Sequence, residues 1–137
     1  MIKRIQSPDD LLPLFRLDHG EDANLPCSFE EWIQWLVAMC VDERLAIFAD
    51  FNEEGRIVSY IVLGDNISPP LTNSTIIIYA WTRKRVLDQV ELFQAVDEWS
   101  ILRGASVCNG KTNIPEEICN HYGFYTTHRF IEKKLGE

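Results

Sequence analysis

Two β-rich runs, Leu45–Phe51 and Arg56–Leu63, are joined by Asn52-Glu53-Glu54-Gly55, and this hairpin constrains the fold more than any other stretch of the chain. A short polar connection ending in glycine brings consecutive strands together antiparallel. The next structured segment, Thr75–Thr82, is a continuous apolar run of strand length, and its lack of alternation predicts burial on both faces at the centre of a sheet. A helix follows it directly, with Val86, Val90, Phe93, Val96 or Asp97, and Trp99 as its inner stripe and Arg103-Gly104 as its stop. Between the hairpin and this run, residues 65–74 hold two prolines, two asparagines and two serines, and predict a long loop.

The flanking elements complete the order. Met1–Ile5 predicts a short strand. Ser7-Pro8-Asp9-Asp10 then supplies a cap, a proline and two acids for a first helix carrying Leu11, Leu12, Leu14, Phe15 and Leu17, which stops at Asp18-His19-Gly20. Ser28-Phe29-Glu30-Glu31 is a capping box, and Trp32, Trp35, Leu36, Met39 and Cys40 recur behind it at helical intervals. After the long helix come a short strand over residues 106–109, a short helix over 114–121 with Pro115 at its start, and a final strand over 126–135. The order β-α-α-β-β-β-α-β-α-β describes an α/β chain of one domain, residues 1–137, with a mixed, mostly antiparallel central sheet and helices on both faces.

Composition sets the outer limits. A chain of 137 residues with 46% apolar and 25% charged residues has ordinary globular usage. The start, Met-Ile-Lys-Arg-Ile-Gln, has no apolar stretch behind it, and no window reaches the length of a membrane span, so the expectation is a soluble, cytoplasmic protein. Cys27, Cys40, Cys108 and Cys119 are widely spaced, with no Cys-x-x-Cys pair and no histidine at ligand spacing. They are expected to be reduced, mostly buried thiols, with no metal site. The net charge of −8 is uneven: residues 1–68 hold 5 basic and 13 acidic residues, residues 69–137 hold 8 of each. Such a field repels phosphate backbones and anionic membranes and attracts basic proteins or amines.

The element order resembles that of the GCN5-related N-acetyltransferase (GNAT) superfamily along nearly the whole chain. The most specific local match is Asn113-Ile-Pro-Glu-Glu-Ile-Cys-Asn-His-Tyr-Gly-Phe124 followed by a strand, similar to the family's late "asparagine, short helix, Gly-Phe, strand" signature. The resemblance implies acetyl-CoA between the fourth and fifth strands, with its pyrophosphate on backbone N–H groups at the start of the following helix. That cradle needs glycine or alanine for close approach. The family pattern is Arg or Gln, two residues, Gly, one residue, Gly or Ala; this chain has Arg83-Lys84-Arg85-Val86-Leu87-Asp88, without glycine. The cofactor-binding candidates that the resemblance supplies are Trp81, Thr82, Arg83, Lys84, Arg85 and Asn113. Arg83, Lys84 and Arg85 could replace backbone donors with side-chain charge, or form a solvated basic loop that pairs with the acidic N-terminal half or with a partner.

The family's general acid, a tyrosine four residues before the glycine of Gly-Phe, corresponds to Cys119, and Tyr122 lies close by on a different face of the short helix. These two are the catalytic candidates. Asp50 and Glu53 are the acids near a possible base position. Trp32, Trp35, Trp81 and Trp99 fall on core stripes, and His19, His121 and His128 have no partner at motif spacing. Two functions follow. In one, this is a degenerate GNAT-like domain that has lost acyl-CoA chemistry, expects no cofactor, and binds a protein partner or serves a structural role. Small phage internal virion or accessory proteins offer a loose resemblance, with a virion as the alternative location. In the other, it is an active acetyl-CoA-dependent N-acyltransferase with a divergent pyrophosphate loop, acting on an amine.

Overall fold

The computed structural model describes residues 1–17, 19, 25–66, 73–112, 114–126, 133, 135 and 136. Five strands form one sheet in the order β1-β2-β3-β4-β5, where β1 is Ile2–Ile5, β2 Leu45–Phe51, β3 Ile57–Asn66, β4 Ser74–Thr82 and β5 Val107–Gly110. The first four are antiparallel neighbours, and β5 runs parallel to β4. The hairpin forms as its sequence predicts. Gly55 takes the left-handed conformation (φ 76°), and Asn52 Oδ1 accepts from the N–H groups of Glu54 and Arg56.

One face of the sheet is covered by α1 (Leu12–Phe15) and α2 (Phe29–Met39). Leu11, Leu14, Trp32 and Leu36 pack there on Ile5, Ile47, Tyr60, Val62 and Tyr79. The other face is covered by α3 (Val90–Leu102), where Leu92, Val96 and Trp99 meet Ala46, Ile61 and Leu63. Helices therefore lie on both faces. The expected cap forms: Ser28 Oγ accepts from the Glu31 N–H at 3.2 Å, and the Glu31 carboxylate reaches back to the Ser28 hydroxyl, which donates to it at 3.0 Å.

Several expectations need correction. The first helix is a 3-10 turn, Pro8–Leu11, followed by one α-helical turn. Leu12 faces solvent, because Pro8 and Pro13 break the run that its leucines suggested. The loop over 65–74 is shorter than expected at both ends: β3 continues to Asn66 and β4 begins at Ser74, paired to each other, while residues 67–72 lie outside the described residues. The strand buried on both faces is β3, whereas β4 leaves Ile78 and Ala80 exposed. A sheet in sequential order places β3 in the middle and β4 beside the short β5, so half of β4 has no β5 neighbour. The long helix begins at Val90, after a separate 3-10 turn, Val86–Asp88. Of the cysteines, only Cys40 is buried; Cys108 and Cys119 are half-buried and Cys27 is exposed. The expected final strand, 126–135, lies mostly outside the described residues, and Thr126 belongs to no strand. Among the described residues no helix is long and apolar enough to cross a membrane.

Candidate functional site

Strand β4 pairs with β5 only over Ser74–Ile77, opposite Val107–Gly110, and then continues alone to Thr82. The parallel pairing thus ends at Ile77 and Gly110, and the carboxyl half of β4 has no strand neighbour on that side. A bulge accompanies the end of that pairing: Val62 pairs with Tyr79 and Leu63 with Ile77, which leaves Ile78 as an extra residue. Beyond the bulge the faces exchange, so Tyr79 and Trp81 point toward α2 although Ile77 points toward α3. The cleft beside the turn that follows β4 is lined by Met1, Asp50, Lys84 and the head of α3 from Asp88 to Leu92, and α4 (Glu116–His121), with Tyr122 at its end, meets that head from beside it.

The turn after β4 is organised by Thr82. Its hydroxyl accepts from the Lys84 N–H at 2.9 Å and from Gln89 Nε2 at 3.0 Å, and donates to Lys84 O at 3.2 Å. Gln89 is buried and its Oε1 accepts from Ser59 Oγ at 2.9 Å, so one amide side chain ties the head of α3 to both β3 and β4. The Gln89 main-chain N–H is bonded twice, to Val86 O at 3.2 Å and to the Tyr122 hydroxyl at 3.0 Å. That hydroxyl in turn donates to Val86 O, and the Tyr122 ring stacks on Phe93 with centroids 4.3 Å apart.

The basic residues at the cleft differ in their engagements. Lys84 Nζ lies 2.7 Å from Asp50 Oδ2, and the Met1 ammonium lies 2.9 Å from Asp50 Oδ1. Asp50 is 6% exposed. Burial alone would push its carboxyl up, but hydrogen bonds and charge from Lys84 and the Met1 ammonium outweigh it and hold the group below the ordinary carboxylate range. The bond to Asp50 raises Lys84 in the same way. The expected pairing of the basic loop with the acidic half is therefore realised at Lys84. Arg83 lies over the Trp81 ring at 5.4 Å, and its N–H extends the ladder to Val58 O at 2.8 Å; Arg85 is exposed.

Of the catalytic candidates, Cys119 is half-buried and its Sγ points at Ile114 O, 3.8 Å away, whereas Tyr122 reaches the head of α3. The structure does not bring the two together, in keeping with their separate helix faces. Asn113 and His128 lie outside the described residues. Glu53 is exposed in the hairpin turn, and Asp50 is committed to its two ammonium partners. His121 meets only the edge of Tyr122 in the ring contacts, at 5.0 Å. No group of three or more His, Cys, Asp or Glu is placed to hold a metal ion among the described residues.

Two arrangements escape a reading of the sequence alone. Gln89 is one; its only signal is a polar residue on the apolar stripe, three residues after Val86 and four before Phe93. The other is a buried polar knot on the α2 side. Tyr60 OH accepts from Trp32 Nε1 at 3.1 Å and lies 2.7 Å from His19 Nε2, while Trp81 Nε1 donates to His19 O at 3.2 Å. The Trp81 ring contacts those of His19 and Tyr60, so this side of the cleft is a packed aromatic wall. Burial pushes the Tyr60 phenol far above its ordinary range.

No protein-family model matches the chain, and no curated protein sequence does. Solved structures do match over their full lengths. The aminoglycoside 6'-N-acetyltransferase AAC(6')-Ih from Acinetobacter baumannii is 12% identical, with 100% of this chain and 98% of that one aligned and a TM-score of 0.74. AAC(6')-Iy, solved with a CoA-linked bisubstrate analogue, is 14% identical over 99% and 97%, with a TM-score of 0.75. A GNAT family acetyltransferase from Staphylococcus aureus is 13% identical over 98% of each chain, with a TM-score of 0.71. At such identities the likeness is one of architecture, and it agrees with the strand order, the parallel pairing of β5 with β4 and the helices on both faces: this chain carries the GCN5-related N-acetyltransferase fold.

Proposed function

We propose that this chain is a binding domain built on the acetyltransferase fold, acting through a protein partner and not through acyl transfer. The observation that carries the reading is the Tyr122 hydroxyl on the Gln89 N–H and Val86 C=O. A coenzyme A diphosphate needs main-chain donors turned outward and room for close approach. Here the donor at the head of α3 is bonded internally, Val86, Leu87 and Asp88 bring side chains where the fold's cradle requires bare backbone, and Asp88 adds a repelling carboxylate. Lys84, the nearest ammonium, is paired with Asp50. These residues do not fit the cofactor. The acidity of residues 1–68 supports a basic protein surface as the partner.

A second reading, an acetyl-CoA-dependent N-acyltransferase acting on an amine, draws on the parallel pairing of β5 with β4 and on the fold relative solved with a CoA-linked analogue. One experiment separates the two. Thermal unfolding with coenzyme A at millimolar concentration should leave the midpoint unchanged in the binding domain. A ligand at about 100 times its dissociation constant would add about 2.7 kcal/mol. A clear upward shift, with acetyl transfer to a polyamine mixture, would overturn the proposal in favour of the enzyme.

A further inference from the structure

The geometry points to Tyr122 as a latch: its hydroxyl fastens α4 to the first turn of α3, and the two segments open as one unit when it lets go. Three observations converge on this. The hydroxyl both accepts from Gln89 N–H and donates to Val86 O, so it closes on both ends of the 3-10 turn at once. The ring is stacked on Phe93, one α-helical turn further along α3, and Phe124 meets the same Phe93 edge-on at 5.8 Å. Helix α4 itself is short and buries no residue completely, and none of its residues belongs to either sheet-facing core cluster. Its attachment among the described residues therefore runs largely through the Tyr122–Phe93–Phe124 contact.

The other side of the hinge is firmly held. Gln89 is anchored by its side chain to Ser59 and Thr82, whose hydrogen bonds do not involve Tyr122. Release of the latch thus leaves α3 on the sheet and frees only the turn at residues 86–88 together with residues 114–124. The freed turn adjoins the cleft-lining residues Asp88 and Gln89, so the latch sets how firmly that edge of the cleft is held. The inference rests on the reading above only for the occupancy of the Gln89 N–H. Its test uses no coenzyme A, so the two ideas fail separately.

Hydrogen–deuterium exchange of the full chain, followed by peptide mass spectrometry, compares wild type with Tyr122→Phe and with Tyr125→Phe. Tyr125 is 74% exposed and serves as the control for loss of a tyrosine hydroxyl. Tyr122→Phe keeps the stacking ring and removes both hydrogen bonds. Exchange should rise about tenfold or more in residues 86–90 and, in parallel, in 116–124, with amides of β2 and β3 unchanged. Tyr125→Phe should match wild type. A rise confined to one of the two segments, a uniform rise through the sheet, or no rise at all would each overturn the latch.

Discussion

Lys84 Nζ and Asp50 Oδ2 sit 2.7 Å apart across the turn between β4 and α3, joining a buried carboxylate of β2 to the loop at the mouth of the cleft. Lys84→Met removes one of the two ammonium partners of Asp50 and leaves the carboxylate under-compensated in a site where burial opposes its charge. The expected loss at pH 7 is about 1–2 kcal/mol. Asp50 is held below its ordinary value in the folded chain, so the pair contributes fully above that value. The contribution disappears as pH falls through the depressed folded value, below 3.8. Urea unfolding of both chains at pH 7 and near pH 2 checks this; a gap that stays constant across that range would show that the pair does not act through Asp50 ionisation.

Tyr60→Phe should cost about 1–3 kcal/mol. The phenol accepts from Trp32 Nε1 and meets His19 Nε2, and its removal leaves the indole N–H buried without that acceptor. The ring and its packing stay, so the loss isolates the hydroxyl. Chemical denaturation with tryptophan fluorescence measures it, and an unchanged midpoint would mean that Trp32 finds another acceptor.

Asp42 carries a surface prediction. The Arg44 side chain, bonded to it at 2.9 and 3.1 Å, brings its carboxyl down to about 2, with the Arg44 main-chain N–H adding to the effect. Titration followed by carboxyl-carbon NMR should show this depressed value. In Arg44→Gln it should return toward 3.8. Arg44 is exposed and Asp42 half-buried at the surface, and the prediction concerns titration alone.

Gly64 is buried where β3 passes Arg44, and a Cβ there would stand 3.3 Å from Arg44 O and 3.4 Å from Ile78 Cδ1. The carbonyl cannot easily yield, because it accepts from Asp65 N–H at 3.0 Å. Gly64→Ala should therefore destabilise by about 1–3 kcal/mol despite the better strand propensity of alanine. A stabilised variant in thermal unfolding would refute the steric account.

Much of the architecture was legible because it is local. Asn52–Gly55 dictates a hairpin, Ser28 and Glu31 cap a helix, and the stripe through Val96 and Trp99 identifies the inner face of α3. The features that escaped are those without a local signature. An apolar run such as Thr75–Thr82 has no alternation from which to read a bulge, so the exposure of Ile78 and Ala80 could not be foreseen. The cleft was harder still. Its central contact joins Gln89 to Tyr122, 33 residues away, and only tertiary packing brings a phenol to that turn. The missing glycines at 86 and 88 draw attention to this turn, but the phenol that bonds to it has no signal in the sequence.

The extra residue at Ile78 has a further consequence for how β4 responds to change. It shifts the strand's phase by one, so positions before it report on the α3 side by one parity and positions after it by the other. Deleting Ile78 would join Ile77 directly to Tyr79 in an unbroken pleat, with Leu63 still opposite Ile77 and Val62 still opposite Tyr79, so Tyr79 and Trp81 would keep their place in the aromatic wall beside His19. The register with β3 thus owns the end of this strand, and the inserted residue is a local bend that can be lost without exchanging its faces.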